Sequence, residues 1–365
     1  MIRLLGLTLL LALLAACGND DDELTQDYNV PDTYNFDNVS YDGQTQRLDM
    51  LAELSAYTKA ALNGIELDSA RLQAMYRNAD GAAFAGNYED SKQLRDKTRE
   101  DKQDLFDALL GVIYSVSRAS GQAAIPGTAG TATTADGKQY LLNQTGVEYA
   151  QIIEKGLMGA CFLHQATAVY MGASKMNVDN TTIEPGEGTA MEHHWDEAFG
   201  YLGVSPTFPA NTDDIRFWGK YVNTVDPSLG SNRVMMDAFL KGRAAISNDD
   251  LETRDQQIAI LRSEWERVAA ANAIHYLNIA KTDANFSDRA KRCHALSEAV
   301  AFLYGVQFVP GAKIDATTYD EIQSTIGGTS QFGTMSFDAT NQVQLQRAVD
   351  DIAAIYELES VKEAL

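Results

Sequence analysis

The stretch from residue 250 to 281 has the strongest helical pattern in the chain. Its apolar residues recur every three or four positions and share one stripe of an α-helix: Ile258, Leu261, Trp265, Val268, Tyr276 and Ile279. A stripe of this length predicts one long helix with a buried face. A chain built around such a helix needs further helices to cover that face.

Other segments supply the same periodicity on both sides of this helix. The segment from Val147 to Met171 contains only two charged residues, Glu154 and Lys155, and is otherwise apolar or small on every side. This composition predicts a helix in the centre of a bundle. The stretch 120–140 is rich in Gly, Ala and Thr and predicts a long surface loop.

No series of alternating β-branched runs, as a sheet would require, occurs along the chain. The predicted fold class is therefore all-α, a multi-helix bundle over residues 33–365. The chain is long enough for one large core or two smaller ones, and two packed helical halves would fall at 33–180 and 189–365.

The first residues are typical of an export signal. Arg3 precedes a short apolar run, and Leu14-Ala15-Ala16-Cys17 matches a bacterial lipobox. Residues 1–16 are predicted to be a signal peptide, Cys17 the lipidated residue and 17–32 an acidic tether. Several acyl chains on one cysteine would anchor the protein to a membrane. We expect an outer-membrane location with either leaflet open; the alternative is a secretory signal with an incidental cysteine.

The charge balance excludes one class of partner. The chain has 51 acidic and 29 basic residues, a formal charge of −22, and removal of Arg3 with the signal would make it −23. Such a surface repels phosphate backbones, and no basic cluster is present, so we expect no nucleic-acid partner. The acidity suits cations, although solubility alone also explains it.

Two cysteines remain beyond the lipobox, Cys161 and Cys293. In an oxidising compartment they could form a disulfide. Each lies in a helix-like segment, where a buried thiol behaves as a small hydrophobic side chain. Spacing alone does not show whether they are close enough to pair, so both states remain open.

The segment from Thr189 to Gly203, TAMEHHWDEAFGYLG, is the best candidate for a functional site. Thr189 and Glu192 have the spacing of a capping box, which gives Glu192 a structural role at the start of a helix. The apolar residues of the segment then share a buried face: Met191, Trp195, Ala198, Phe199 and Leu202.

Two histidines precede a glutamate at the edge of that face. His194 and Glu197 are one turn apart, as in helical motifs that bind one metal ion, and His193 points further outward. Two adjacent histidines are not expected to point at one centre. A metal site formed by His194 and Glu197, with His193 as an alternative donor, is one interpretation. A structural hydrogen bond between histidine and glutamate is the other.

Further polar residues occupy positions that face neighbouring helices. His164 lies in the apolar segment 147–171, and His294 and Glu298 share a stripe with small residues that permit close helix packing. These three are secondary ligand candidates, and a core histidine with a buried partner is the alternative for each. No phosphate-binding loop, dinucleotide motif, Cys-x-x-Cys or Gly-x-Ser-x-Gly pattern occurs, so a covalent hydrolase is not predicted.

The lipobox, the segment YNFDNVSYDGQTQRLDML (34–51) and the segment EHHWDEAFGYLG (192–203) together resemble the imelysin-like bacterial lipoproteins, and most closely a related lipoprotein family of unknown function. The resemblance implies two packed helical bundles and a Gly-x-His-x-x-Glu motif near a metal or ligand site. Only His194 and Glu197 match that motif, because Glu192 stands at its glycine position.

The association of such proteins with iron uptake implies binding of a divalent or iron cation, or of a small ligand. Two alternatives remain open at this level. A metallopeptidase-like hydrolase would need a third protein ligand, from His164, His294 or Glu298. An interaction scaffold without metal would use the histidine–glutamate pair only to fix a helix.

Overall fold

A computed structural model describes residues 28–79 and 83–365. The predicted signal peptide at 1–16, the lipidation site Cys17 and most of the tether at 17–32 lie outside these residues. Among the residues described, no helix combines the length and the hydropathy that a membrane span needs.

The described residues form thirteen α-helices and one two-stranded sheet, which confirms the all-α fold class. The first four helices and the two strands are α1 (Asp42–Lys59), α2 (Ser69–Arg77), α3 (Gln103–Ser117), β1 (Gly130–Thr133), β2 (Gln139–Leu142) and α4 (Tyr149–Leu157). The others are α5 (Ala173–Met176), α6 (Ala190–Gly200), α7 (Trp218–Leu229), α8 (Ser231–Ser247), α9 (Leu251–Lys281), α10 (Asp283–Ser287), α11 (Arg289–Gly305), α12 (Ala316–Gly327) and α13 (Gln342–Tyr356).

Helix α9 is the long helix that the sequence predicts, and it packs against α8, α11 and α13. Its apolar stripe is buried at the centre of the fold, with Leu261, Trp265 and Val268 fully inaccessible to solvent. Buried hydrophobic residues from both predicted halves belong to one continuous cluster around it. The division into halves at 33–180 and 189–365 stays a prediction.

The central apolar helix continues beyond α4 as two π-helical segments, Met158–Leu163 and Gln165–Tyr170. A π-helix disrupts the usual backbone pairing, and side chains from other helices bond carbonyl groups along it. Trp218 Nε1 donates to the carbonyl oxygen of Met158 at 2.8 Å, and Arg262 Nε donates to that of Thr167 at 3.0 Å. The irregular backbone is therefore held by tertiary contacts.

Small residues allow α11 to approach this irregular segment closely. A Cβ atom added at Gly159 would lie 2.8 Å from the Cα atom of Gly305, closer than packed atoms allow. The prediction that small residues on the stripe of His294 and Glu298 permit close helix packing agrees with this contact.

The prediction of a long surface loop over residues 120–140 is wrong from Gly130 onward, where the chain forms a β-hairpin. β1 pairs antiparallel with β2, and Gly130 lies opposite Leu142 in the register. The strands are short and β1 is built from Gly, Thr and Ala, so no alternation marks them in the sequence. The Tyr140 ring of β2 stacks on His294 of α11 at a centroid distance of 4.0 Å, a tertiary contact that sequence patterns do not reveal.

Both cysteines within the described residues are buried and free, so the open question of a disulfide is answered by two separate thiols. Cys161 Sγ lies 3.7 Å from the carbonyl oxygen of Leu94. Burial raises the pKa of Cys161 to about 12 and that of Cys293 to about 11, which keeps both thiols protonated.

Candidate functional site

Helix α6 begins with the predicted capping box. Thr189 Oγ1 accepts a hydrogen bond from the Glu192 backbone N–H at 3.2 Å, and the Thr189 N–H donates to Glu192 Oε2 at 2.9 Å. Glu192 also pairs with Arg243 of α8 at 2.5 Å. The cap and the ion pair fix the start of α6, so that the side chains one turn further on have a defined direction.

The buried face of α6 is also as predicted, and it anchors the helix in the core. Its five members are at most 3% exposed: Met191, Trp195, Ala198, Phe199 and Leu202. Trp195 Nε1 donates to the carbonyl oxygen of Phe239 at 3.0 Å. The helix therefore has little freedom to rotate, which places its histidines at the edge of the core.

The three primary candidates meet at one carboxylate oxygen. His194 Nδ1 lies 3.1 Å and His193 Nε2 lies 3.8 Å from Glu197 Oε2. Both imidazoles lie near this oxygen because Glu197 is three residues from one histidine and four from the other. The side chains are partly buried, 15% exposed for His194, 17% for Glu197 and 25% for His193.

Helix α1 and the π-helical segment supply two further partners of Glu197. Gln44 Nε2 donates to Glu197 Oε1 at 3.0 Å and lies 3.4 Å from the Tyr170 hydroxyl oxygen. Burial would raise the pKa of Glu197, but the hydrogen bonds with His194, Gln44 and Tyr170 outweigh it and lower the pKa below its ordinary value. Glu197 is therefore an ionised carboxylate.

Gly200 allows α1 to come close enough for these bonds. A Cβ atom on residue 200 would lie 2.8 Å from the Cβ of Tyr41 and 2.9 Å from the Cβ of Gln44. Any side chain at this position would push α1 away from α6. The last residue of α6 thus controls how Gln44 reaches Glu197.

Glu197 and His193 line a polar pocket of about 540 Å³ between α1, α6 and the segment 89–97. Its lining contains both acidic and basic residues. The other acidic residues are Asp42, Glu89, Asp96 and Glu187, and the basic residues are Arg47, Lys92 and Lys97. A pocket of this volume and mixed charge can hold a small polar molecule. We call it the α1–α6 pocket.

His193 also lines a second, smaller pocket of about 260 Å³, to which His194 contributes. The Nδ1 atom of His193 is buried and has no hydrogen-bond partner among the described side chains and backbone. Another pocket of about 540 Å³, beside Thr45 and Arg216, contains none of the candidates predicted from sequence.

His294 and Glu298 come together, but in a separate buried ion network. His294 Nδ1 lies 2.6 Å from Glu148 Oε2, and its Nε2 lies 3.8 Å from Glu298 Oε2. Glu298 in turn pairs with Lys155 at 2.9 Å. Burial would lower the pKa of His294, but the hydrogen bond and charge of Glu148 outweigh it and raise that pKa. These two candidates are held by charge pairs of their own.

His164 stays isolated from the other candidates. Burial lowers its pKa to about 4, and no hydrogen bond or ion pair joins it to another side chain in the described parts of the chain. Across residues 28–79 and 83–365, no three His, Cys, Asp or Glu side chains are already arranged to hold a metal ion.

Sequence reasoning missed the partners that surround Glu197. Gln44 and Arg47 belong to the segment 34–51 that carries the resemblance, which is the one sequence signal that points to them. Lys97 and Tyr170 have no such signal, because they lie in a charged turn and an apolar helix. The segments 34–51 and 192–203 contact each other, also through the Tyr34 hydroxyl, which donates to Asp196 Oδ1 at 2.7 Å.

The chain matches a known family model. The family model described as "Domain of unknown function (DUF4856)" matches residues 31–359, most of the chain. Neither the curated proteins nor the solved structures give a significant match.

Proposed function

Since the chain belongs to the family of the domain of unknown function DUF4856, we propose a function from the chemistry of its own site: a lipid-anchored protein of the cell envelope that binds a metal ion or small polar ligand in the α1–α6 pocket. The observation that carries this proposal is the ionised, largely buried carboxylate of Glu197, which faces the pocket beside two imidazoles.

The carboxylate of Glu197 is surrounded by hydrogen-bond donors. Within the described residues, no Lys or Arg forms an ion pair with it. Taking a carboxylate out of water costs free energy, and donors such as Gln44 offset part of that cost without cancelling the charge. A cation that enters the pocket would neutralise the charge of Glu197, and this interaction would favour its binding.

The donor atoms suit a transition metal. Imidazole nitrogen and carboxylate oxygen are common ligands of zinc and iron. The bond between His194 and Glu197 would have to give way, since three ligands are not arranged in advance. The resemblance to imelysin-like lipoproteins supports iron as the cation and iron acquisition as the setting.

The hydrolase alternative gains no support from the geometry. It needs a third protein ligand, and the candidates for that role have partners elsewhere: His294 and Glu298 lie in the Glu148–Lys155 network. His164 has no contact with Glu197 among the described hydrogen bonds and ion pairs. We therefore do not propose it, and the scaffold without metal is the alternative that an experiment must exclude.

Metal binding is tested on the full chain, purified in detergent without a polyhistidine tag. We expect about one Zn²⁺ or Fe²⁺ per chain by elemental analysis and calorimetry. Glu197→Gln keeps the shape of the side chain but removes its charge, so the affinity should fall at least roughly tenfold, the equivalent of about 1.4 kcal/mol. His164→Gln is the matched control and should bind like the wild type.

Two results would contradict this proposal for a metal ion. One is the absence of bound metal together with an unchanged melting temperature when zinc or iron is added. The other is equal metal affinity in wild type and Glu197→Gln, since the ion would then bind elsewhere.

A further inference from the structure

The lining of the α1–α6 pocket contains two cations that lack an ion-pair partner among the described residues. Neither Arg47 nor Lys97 forms an ion pair within the part of the chain that the structure describes. Lys92, the third basic residue, does pair with Glu89 at 3.4 Å. In a chain with 51 acidic residues, two unpaired cations that line one pocket need an explanation.

Arg47 is 5% exposed and held in place by the backbone. Its Nε donates to the carbonyl oxygen of Gln93 at 3.0 Å, and one of its terminal nitrogens donates to that of Gly43 at 3.1 Å. Its other terminal nitrogen has no acceptor in the described residues. A fixed guanidinium with free N–H groups is suited to a planar carboxylate, to which it can donate two parallel hydrogen bonds.

Lys97 lines the same pocket as this guanidinium. Burial and the charge of Arg47 lower the pKa of Lys97, against the opposing effect of the Glu197 charge, and its Nζ is 5.9 Å from the centre of the Tyr170 ring. Two cations that lack an ion-pair partner repel each other, and a bound anion would reduce that repulsion. Both residues line the same pocket as Glu197.

We propose that the ligand of this pocket carries a carboxylate, which Arg47 and Lys97 bind, together with a cationic group that Glu197 and His193 bind. This inference rests on the proposed function and specifies its ligand class. The cationic group is a metal ion chelated by the carboxylate or the ammonium group of a zwitterion. For a chelated ion, carboxylate oxygens would complete a coordination shell that the protein donors alone leave open.

A phosphate fits the pocket less well. A phosphate monoester carries nearly two negative charges at neutral pH, and the pocket offers it the two unpaired cations among five acidic side chains. A carboxylate carries one charge and needs only Arg47 and Lys97. The acidic residues of the lining thus favour a ligand that carries a positive group in addition to a single carboxylate.

The experiment measures binding by calorimetry to the full chain with four probes. These are Zn²⁺ alone, Zn²⁺ with an equimolar small di- or tricarboxylate, a set of zwitterionic α-amino acids with a chelator present, and inorganic phosphate. Each probe is titrated into wild type, Lys97→Gln and Arg47→Lys. Lys102→Gln is the matched control, because Lys102 pairs with Asp101 at 3.3 Å and does not line the pocket.

A carboxylate-bearing probe should bind more tightly than Zn²⁺ alone. Lys97→Gln should weaken that probe roughly ten- to hundredfold, the range for loss of a charge-assisted contact. The same substitution should leave Zn²⁺ alone unchanged or slightly tighter, since a positive charge is removed. Arg47→Lys keeps the charge and loses the planar fork, so it should weaken the carboxylate-bearing probe as well. The chelate and amino-acid titrations tell the two cationic groups apart.

Three outcomes would overturn the inference. If Zn²⁺ alone binds as tightly as the carboxylate-bearing probes, or Lys97→Gln changes none of them, the carboxylate subsite is wrong while metal binding at Glu197 stands. If phosphate binds with the same dependence on Lys97 and carboxylates do not, the ligand class is wrong. If no probe binds, the proposed function fails and this inference fails with it.

Discussion

Two glutamates show how single residues divide between function and structure. Glu197 keeps a lowered pKa because the hydrogen bonds it accepts, His194 foremost, outweigh the effect of its burial. Glu266 of α9 is 3% exposed and accepts hydrogen bonds from the Tyr356 hydroxyl at 2.7 Å and the Lys313 N–H at 2.8 Å. For Glu266, burial wins and raises the pKa. The surroundings thus shift the pKa values of the two carboxyl groups in opposite directions.

The raised pKa of Glu266 predicts a pH dependence of stability. Above the ordinary glutamate pKa of about 4.3, the folded chain binds more protons at this site than the unfolded chain. The contribution of Glu266 to the free energy of unfolding therefore falls as the pH rises through the raised pKa. In Glu266→Gln this contribution is absent, so the stability of the wild type relative to this variant should fall as the pH rises above about 4.3. Urea titrations of both proteins at several pH values measure it, and identical pH profiles would contradict it.

At the scale of helices and strands, apolar periodicity in the sequence predicts the elements that bury one side. The long helix α9 and the capped helix α6 follow from apolar spacing and cap chemistry in the sequence. The hairpin of β1 and β2 does not, because its strands are short and its packing on α11, where Tyr140 stacks on His294, is a tertiary contact. The sequence does not predict the π-helical continuation of α4 either, since side chains of other helices, such as Arg262, donate hydrogen bonds to its backbone.

The contact between α1 and α6 predicts the effect of a methyl group. In Gly200→Ala the new Cβ would overlap Tyr41 and Gln44, so we expect a loss of about 1–3 kcal/mol in the free energy of unfolding. Ligand binding should weaken as well, because Gln44 moves away from Glu197.

The matched control for this substitution is Gly111→Ala in α3, where an added Cβ meets no atom within 4 Å. That variant should be as stable as the wild type or up to about 1 kcal/mol more stable, since alanine favours the helix. Chemical denaturation of the two variants gives both values. Equal stability of the two alanine variants would show that α1 and α6 tolerate a wider separation.

At the scale of the whole molecule, the site is formed by residues that lie far apart in the sequence. Gln44 and Glu197 are 153 residues apart in the chain and 3.0 Å apart in space. The histidine–glutamate pair was visible in the sequence because its members lie on one helix. Arg47, Lys97 and Tyr170 come from three other segments, and no local pattern specifies that they line one pocket with Glu197.

The lipobox predicts how the whole chain partitions. A chain acylated at Cys17 should enter the detergent phase of a Triton X-114 extract and incorporate labelled palmitate in bacterial cells. Cys17→Ser should remove the label and shift the chain toward the aqueous phase, because the acyl chains are no longer attached. A Cys17→Ser protein that still enters the detergent phase would point to a different anchor.

The burial of Cys161 and Cys293 has a consequence for their chemistry in the oxidising envelope that we propose as the location of this chain. Each thiol is protonated and shielded, so neither is a nucleophile while the helices around it stay closed. Oxidants and alkylating reagents can reach a sulfur atom only during an excursion that opens the core. Neither of these cysteines forms a disulfide in the fold. Chemical modification of the two sulfur atoms would therefore measure how often the core around each one opens.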